Sequence, residues 1–201
     1  ALEYIHANGV VHRDMKPENI MVDSGDGIHL IDFGIAANAG ARRLTFGSFS
    51  QGLGTPDYIS PEQVRGKRGD ARSDIYSVGV MLYEMLTGKV PFSGPNPFAV
   101  MNDRLLNPPP PPASVEPSIS PQLQEILYRA LERDPKNRYA NAREFSHDLG
   151  HQDEVGIVNR SEAANWQRRE SPPAHRNLLI ATFVLVPLLI LVLLLLVAHK
   201  H

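Results

Sequence analysis

The sequence contains no cysteine, which excludes disulfide bonds and metal sites built from thiolates. It also lacks an excess of basic charge, since 20 lysines and arginines stand against 22 acidic residues, for a formal net charge of −2. Nucleic-acid binding requires a basic stripe, so we expect no nucleic-acid partner. No internal repeat is present. The 201 residues suffice for one ordinary domain plus an extension.

A long run without charge lies near the C-terminal end. Residues 178–198 read LLIATFVLVPLLILVLLLLVA, and a helix of this length, about 32 Å, matches the hydrocarbon core of a bilayer. Buried core helices are rarely apolar all round for so long, a signal peptide is N-terminal, and a glycolipid-anchor signal would export the domain before it. We therefore predict a transmembrane helix, in which Pro187 is tolerated.

The charges around this span predict its orientation. Lys200 follows the span, whereas four arginines precede it, and the positive-inside rule then makes this a single-pass membrane protein with its N-terminal part in the cytoplasm. Residues 150–177 are polar and predict a juxtamembrane linker, and residues 199–201 an extracytoplasmic tail. A homodimer formed in the membrane is left open. The four arginines are Arg160, Arg168, Arg169 and Arg176.

The rest of the chain predicts a mainly α-helical domain with one small β-hairpin. Residues 1–8 have the spacing of the end of a helix, and the runs 20–22 and 28–31 flank the turn sequence SGDG. Residues 35–59, rich in Gly, Ser and Thr, predict a long functional loop. Further helices are predicted at 73–87, from 120 to about 133, and at 141–149, and residues 107–121 are predicted to be extended.

Three features have more than one interpretation. The prolines at 108–112 favour a rigid connector, with an SH3-type ligand as the alternative. The scattered histidines at 6, 29 and 147 indicate packed or solvated side chains rather than a metal site. A basic group is typical of a solvated loop, and the alternative is that it steers an acidic substrate. Its members are Arg65, Lys67, Arg68 and Arg72.

Polar side chains are concentrated in VVHRDMKPENIMV, residues 10–22. Asp14 and Asn19 lie five residues apart on an irregular segment, and Asp32 follows the second short strand. Two carboxylates and an amide oxygen that converge on one point suit a hard cation such as Mg²⁺. Lys16 adds a positive charge for the anion that such a cation carries. A cation site with a lysine and a spare carboxylate is typical of phosphoryl transfer.

At these residues the sequence resembles the protein kinase superfamily, and its wording is most similar to bacterial membrane-anchored serine/threonine kinases. The resemblance covers residues 1–149 and implies the C-terminal lobe of a kinase domain, tethered to a bacterial cell membrane. Serine replaces the usual alanine in the third of its motifs. The motifs are His12-Arg13-Asp14 with Asn19 (catalytic loop), Asp32-Phe33-Gly34 (metal binding) and Ser60-Pro61-Glu62 (end of the activation segment).

The resemblance implies a role for each catalytic side chain. Asp14 accepts the proton of the substrate hydroxyl, and Lys16 contacts the transferred phosphate. Asn19 and Asp32 hold Mg²⁺. ATP is the implied phosphate donor and a protein Ser or Thr the acceptor, because lysine at position 16 is typical of serine/threonine kinases.

Other positions are assigned supporting roles by the same resemblance. Thr55 bonds Asp14 and Lys16, and Met21 forms the floor beneath adenine. Asp74 holds the backbone of the catalytic loop. The ion pair expected to close the activation segment joins Arg138 and Glu62.

Regulation by phosphorylation is a further hypothesis. Arg13, next to the catalytic aspartate, is a cation with which a phosphate on the activation segment can pair. The candidate acceptors are Thr45, Ser48 and Ser50.

A complete kinase domain also has a Gly-rich loop, a strand lysine and a helix glutamate, and the 201 residues contain none of them. We therefore expect a fragment without the N-terminal lobe, which alone binds ATP weakly and transfers little phosphate. Two alternatives stay open: a non-catalytic membrane-tethered docking module, and a small-molecule phosphotransferase of the kinase-like superfamily. Residues 35–62, which end in a platform for a protein chain, weigh against the second.

Overall fold

The computed structural model describes residues 1–33 and 57–158. One compact unit spans Ala1–Ile157, and the other, Val158–His201, lies outside the described residues apart from Val158. The described part is mainly helical, with one antiparallel two-stranded sheet. Its helices and strands are α1 Leu2–Ala7, β1 Ile20–Val22, β2 Ile28–Leu30, α2 Pro61–Val64, α3 Ala71–Thr87, α4 Pro97–Leu106, α5 Pro121–Ala130 and α6 Ala142–Gly150.

The predicted hairpin is confirmed, with Ile20 opposite Leu30 at its open end. Asp23 closes the turn, because its Oδ1 accepts hydrogen bonds from the backbone N–H groups of Gly25 and Gly27 at 2.8 and 2.9 Å. The ladder continues one step beyond the strands, where the Ile31 N–H donates to the carbonyl of residue 19 at 3.0 Å. The hairpin therefore brings the residues after β2 beside those before β1.

Helix α3 forms the centre of the described unit, as its apolar sequence predicts. Its predicted start at Ser73 is wrong: the helix begins at Ala71, and the side chain of Asp70 caps it by accepting from the Arg72 N–H at 2.8 Å. Gly88 ends the helix in the left-handed conformation, with φ of 69°, as predicted. Ser73 lies two residues inside and is buried, so its hydroxyl is available for tertiary contacts.

Two apolar clusters flank α3 and connect it to α5. A Cβ on Gly79 of α3 would lie 2.9 Å from the Ala130 Cβ of α5, so the close approach of these helices requires glycine. Burial of apolar side chains on this scale is the main source of stability in a domain. The first cluster contains Tyr76, Val80, Tyr83, Phe92, Val100, Leu127 and Leu131, and the second Ile75, Ile126, Ala130, Tyr139 and Phe145.

The caps of α5 and α6 are the predicted ones. The Ser120 hydroxyl accepts from the Leu123 N–H at 3.1 Å, and the Asn141 side chain accepts from the Glu144 N–H at 2.9 Å. Helix α5 ends at Ala130, three residues before the predicted end, and α6 extends one residue further than predicted.

Helix α4 was not predicted. The sequence signal for this helix lies at its start. Asn96 caps the helix by accepting from the Ala99 N–H at 2.9 Å, and a proline follows at the first helical position. In the proline run, Pro109 and Pro112 are buried three residues apart, which is one turn of polyproline helix. One face of the run therefore packs on the domain, which favours the connector interpretation.

Within residues 1–33 and 57–158, no helix has both the length and the apolar character needed to cross a membrane. The predicted span at 178–198 lies outside this part of the chain.

Candidate active site

The catalytic loop is held by a carboxylate from the core. Asp74, on α3 and 1% exposed, accepts hydrogen bonds from the backbone N–H groups of His12 at 2.8 Å and Arg13 at 2.7 Å. Arg13 has a φ of 67°, a left-handed conformation that costs about 1–3 kcal/mol for a residue with a side chain. The two charge-assisted bonds offset this cost. The contact that the sequence predicts between Asp74 and the loop is present.

His12 connects the catalytic loop to the segment that follows β2. Its ring is fully buried, its Nδ1 accepts from the Asp14 N–H at 3.3 Å, and its Nε2 lies 2.9 Å from the Ile31 carbonyl. Because Nδ1 is the acceptor, the proton sits on Nε2 and is donated to Ile31. The ring also packs against Phe33, with 5.0 Å between centroids. His12 thus contacts the residues on either side of Asp32, Ile31 and Phe33, and fixes them relative to Asp14.

Asp14, Lys16 and Asn19 are in direct contact. The Lys16 Nζ lies 2.9 Å from Asp14 Oδ2, and the Asn19 Nδ2 donates to the same oxygen at 3.0 Å and to the Asp14 backbone carbonyl at 2.7 Å. Asn19 is buried, whereas the side chains of Asp14 and Lys16 are 53% and 37% exposed. The carboxylate and the ammonium group therefore face solvent on a support that is itself fixed.

Asp32 joins this group from the other side of the hairpin. It is exposed and has a φ of 53°. The Ile31 N–H donates to the Asn19 carbonyl at 3.0 Å, so Asp32, the residue after Ile31, directly follows the residue that is bonded to Asn19. The hydrogen bond with Asp14 raises the pKa of Lys16, and the negative charges of Glu18 and Asp32 raise it further. Lys16 therefore carries its positive charge at neutral pH.

The oxygen donors of this site can supply part of the ligand set of Mg²⁺. The Asn19 amide nitrogen is used by Asp14, so its amide oxygen is left for a cation, and Asp32 offers an exposed carboxylate. Mg²⁺ is usually held by one or two such groups together with phosphate oxygens and water. Within the described residues no cluster of three or more His, Asp or Glu side chains could hold a metal by itself. A nucleotide-borne cation matches this donor set.

The end of the activation segment is anchored by a buried ion pair. Arg138 donates to both carboxylate oxygens of Glu62, at 2.8 and 2.7 Å, and the Ser73 hydroxyl donates to the same carboxylate at 2.6 Å. Burial opposes the charged form of Glu62, but the bonds and charge of Arg138 and the bond from Ser73 outweigh it and hold the pKa of Glu62 below its usual value. The predicted contact between Arg138 and Glu62 is present.

Helix α2 and the residues before it lie against the catalytic loop. The Gln63 Nε2 donates to the Arg13 carbonyl at 2.8 Å. Ser77 donates to the Tyr58 carbonyl at 2.7 Å, and the Tyr58 hydroxyl donates to Glu84 at 2.6 Å. Burial and this bond to a carboxylate raise the pKa of Tyr58 far above its usual value, so the hydroxyl stays a donor.

The sequence did not predict the contacts by which two residues support the site. His6, interpreted as packed or solvated, is packed: its Nε2 lies 2.8 Å from Asp74 Oδ2, the oxygen that also binds the His12 N–H. Arg104 is fully buried on the unpredicted helix α4 and donates to the Asp57 backbone carbonyl. No local pattern marks either residue, because each contact joins positions more than 40 residues apart.

Several predicted positions have little or no structural description. Met21 lies on β1 with its side chain exposed, so its surface is open to a ligand. The others lie outside the described residues: Gly34, Thr45, Ser48, Ser50 and Thr55.

Comparison with known proteins agrees with this geometry. The family model "Protein kinase domain" matches residues 1–149. A probable serine/threonine-protein kinase of Streptomyces coelicolor is 42% identical over 149 residues, which cover 74% of this chain and 22% of that protein. Serine/threonine-protein kinase PknB of Mycolicibacterium smegmatis is 41% identical over 149 residues, 74% of this chain and 24% of that protein.

A third relative extends the similarity further along the chain. The probable serine/threonine-protein kinase PknB of Corynebacterium glutamicum is 38% identical over 176 residues, 86% of this chain and 27% of that protein. The chain thus spans about a quarter of the length of the curated relatives it matches. Because the family model covers most of the chain and includes the whole loop–hairpin site, the chain belongs to the protein kinase domain family.

Proposed function

We propose that the protein carrying this chain is a serine/threonine protein kinase, which transfers the terminal phosphate of ATP to a hydroxyl group of a protein. The observation that carries the proposal is the contact of Lys16 and Asn19 with Asp14 beside the exposed Asp32. Membership of the protein kinase domain family supports it.

Each step of the transfer has a side chain that can perform it. Asp14 accepts the proton of the substrate hydroxyl, and the hydroxyl oxygen then attacks the terminal phosphorus while the bond to the bridging oxygen of ADP breaks. Lys16 and Asn19 both bind Asp14 through Oδ2, which leaves Oδ1 for the incoming hydroxyl. Lys16, charged at neutral pH, stabilises the negative charge on the transferred group.

Asn19 and Asp32 are the residues that would hold Mg²⁺ at this site. When bound, Mg²⁺ neutralises the charge of the phosphate oxygens. The protein contributes the fixed position of the two ligands, since Asn19 is bonded twice to Asp14 and Asp32 is flanked by contacts of His12. Met21 provides an exposed apolar surface on β1 for the adenine ring, and Thr55 is assigned to the substrate side.

The 201 residues by themselves bind ATP weakly in this proposal. They contain no Gly-rich loop ahead of the catalytic loop, and Tyr4 and Ile28 line an open groove of about 440 Å³ beside Phe33. Exposed large apolar side chains such as these two are typical of a surface that another part of a protein covers. Adding the residues encoded upstream is expected to increase ATP affinity, which isothermal titration of both polypeptides measures.

Control by a phosphate on the activation segment is part of the proposal. Burial and the positive charge of Arg68 lower the pKa of Arg13, in the catalytic loop, and the negative charge of Asp74 opposes this. A phosphate on Thr45, Ser48 or Ser50 would relieve the repulsion between the two arginines. Mass spectrometry of the active protein tests it: full activity with all three residues unmodified would contradict the assignment.

Attachment to the bacterial membrane through residues 178–198 is also proposed, with the kinase domain on the cytoplasmic side. Support comes from the 21 uncharged residues and the arginines that precede them. Carbonate-resistant association with membranes, and digestion of the kinase domain only in inverted vesicles, are the expected results. Extraction of the protein by carbonate would contradict this part alone. Crosslinking in the same membranes tests for a homodimer.

The function is tested with the full-length gene product, radiolabelled ATP and Mg²⁺. A protein substrate and an aminoglycoside are offered in parallel, and labelled protein is hydrolysed for phosphoamino-acid analysis. Phosphoserine or phosphothreonine supports the proposal. Label on the aminoglycoside alone indicates a small-molecule phosphotransferase, and no transfer from a protein that still binds partners indicates a docking module.

A further inference from the structure

Arg104 is a charged side chain with no exposed surface, in a helix that no catalytic motif includes. It has the largest of the fully buried side chains within the described residues, and its guanidinium lies over the Phe92 ring at 5.5 Å from the centroid. Burial lowers its pKa, and the neighbouring Tyr76 and the negative charge of Asp57 oppose that shift. Burying a guanidinium is costly unless it is bonded, so its partner is informative.

One such partner is the backbone at the end of the activation segment. The Arg104 Nη2 donates to the carbonyl of Asp57. The next residue, Tyr58, is held by two side chains of α3, since Ser77 donates to its carbonyl at 2.7 Å and its hydroxyl donates to Glu84 at 2.6 Å. Residues 57 and 58 are therefore held by side chains of both α3 and α4.

Asp57 and Tyr58 lie beside the catalytic loop. Burial raises the pKa values of Asp57 and Tyr58, and the negative charges of Glu84 and of Glu18, which is in the loop, add to both shifts. Further along, the Gln63 side chain donates to the Arg13 carbonyl at 2.8 Å, so α2 is tied to the same loop. A change in the backbone at Asp57 is therefore expected to shift residues that contact the catalytic loop.

We propose that Arg104 is a positioning residue for the protein substrate: by holding the Asp57 carbonyl, it fixes the backbone of residues 57–59 as a surface on which the substrate chain lies. The inference rests on the proposed kinase function and adds to it a residue that acts through the backbone of another. It predicts an effect on the use of protein substrates and not on the use of ATP.

Three variants of the full-length gene product test this inference. Arg104→Met keeps an unbranched apolar chain but removes the donors, and Arg104→Lys keeps a charge with one donor group. The control is Arg133→Met, because Arg133 also binds backbone carbonyls of α4, those of Leu105 and Leu106, at 3.2 and 2.8 Å. Thermal melting identifies any variant that does not fold.

Steady-state kinetics with a protein substrate give the first readout. Arg104→Met is expected to raise KM for the protein substrate about tenfold or more, because a hydrogen bond from a charged group is lost. KM for ATP should stay within about twofold, and Arg104→Lys should restore part of the difference. Arg133→Met should leave both KM values unchanged. Equal losses for the two substrates, or an unchanged KM for the protein in a folded Arg104→Met variant, would overturn the inference.

Hydrogen exchange gives a second readout that does not depend on activity. Faster exchange in the peptide covering residues 57–64 is expected in Arg104→Met and, to a smaller extent, in Arg104→Lys. Exchange there at the wild-type rate would overturn the anchoring role even if the kinase function holds. If the wild-type protein transfers no phosphate, the proposed function and the substrate part of this inference both fail, and the exchange data decide the anchoring role.

Discussion

Two ion pairs with similar distances differ in how deeply they are buried. Arg138 and Glu62 are 2.7 Å apart with side chains 0% and 7% exposed, whereas Lys16 and Asp14 are 2.9 Å apart with side chains 37% and 53% exposed. The buried pair has further bonds from Ser73 and to backbone carbonyls. The exposed pair contributes at most about 1 kcal/mol to stability, as is usual in high dielectric.

The difference separates the residues that hold the fold from those that we propose carry out the chemistry. The buried pair and Asp74 fix the backbone and are shielded from solvent. Asp14, Lys16 and Asp32 face solvent and can therefore exchange their partners for a nucleotide or a substrate. Changes in the first group should be seen as loss of stability, and changes in the second as loss of activity at unchanged stability.

The largest expected effect is on activity. Asp14→Asn removes the proton acceptor while keeping the size of the side chain, and should lower the rate of phosphate transfer about 10²–10⁴-fold. The melting temperature should stay close to that of the wild type, because the Asp14 side chain is exposed. Asp26→Asn, in the exposed hairpin turn, is the control. A fully active Asp14→Asn variant would remove the basis of the comparison.

The next largest effect is on stability. Glu62→Gln leaves the Arg138 guanidinium buried without a counter-charge, which typically costs about 3–5 kcal/mol. Glu3→Gln is a matched control, because Glu3 pairs with Arg143 at 2.5 Å with both side chains exposed. Urea unfolding of the three proteins provides the free energies. Equal losses in the two variants would mean that burial does not separate the two classes of ion pair.

The buried pair also predicts how stability depends on pH. The pKa of Glu62 is lowered on folding, so its contribution is fully present above the ordinary glutamate pKa and is lost as pH falls through the lowered value. Urea midpoints measured from pH 7 downwards should fall more steeply in the wild type than in Glu62→Gln at acid pH. Parallel curves for the two proteins would contradict this assignment.

The smallest of these effects tests the support of the catalytic loop. His6→Phe removes a donor to Asp74 while keeping a ring, and should cost about 1–3 kcal/mol. Hydrogen exchange at the His12 and Arg13 amides, which bind the same carboxylate, should become faster. His29→Phe is the control, because His29 pairs with Asp23 on the exposed hairpin. Unchanged exchange in His6→Phe would show that Asp74 needs no third donor.

Local signals explain how much of this could be predicted from the sequence. The hairpin follows from two apolar runs around SGDG, and Asp14, Lys16 and Asn19 lie within residues 10–22, so the hairpin and the contacts of these three residues could be predicted. Helix α4 was missed because its apolar pattern is short, although Asn96 and the proline after it mark its start. Asp70 rather than Ser73 caps α3 because Ser73 is used by Glu62, a contact between distant positions.

The remaining features depend on tertiary distances that no local pattern encodes. Arg104 lies 47 positions from Asp57, and His6 lies 68 positions from Asp74. In both contacts, a side chain from a helix outside the catalytic motifs binds a backbone carbonyl or a carboxylate that supports the site. The sequence could indicate the residues that we propose for the chemistry, but not which of the many other polar residues hold them in position.

The central claim is that Asn19 and Asp32 hold a nucleotide-borne cation next to Asp14, and cleavage of the backbone by bound Fe²⁺ tests it most directly. In the full-length protein, Fe²⁺ with ATP and peroxide should replace Mg²⁺ and cut the chain near Asn19 and Asp32, and excess Mg²⁺ should prevent the cuts. Cuts elsewhere in the chain, or cuts that do not require the nucleotide, would contradict the account.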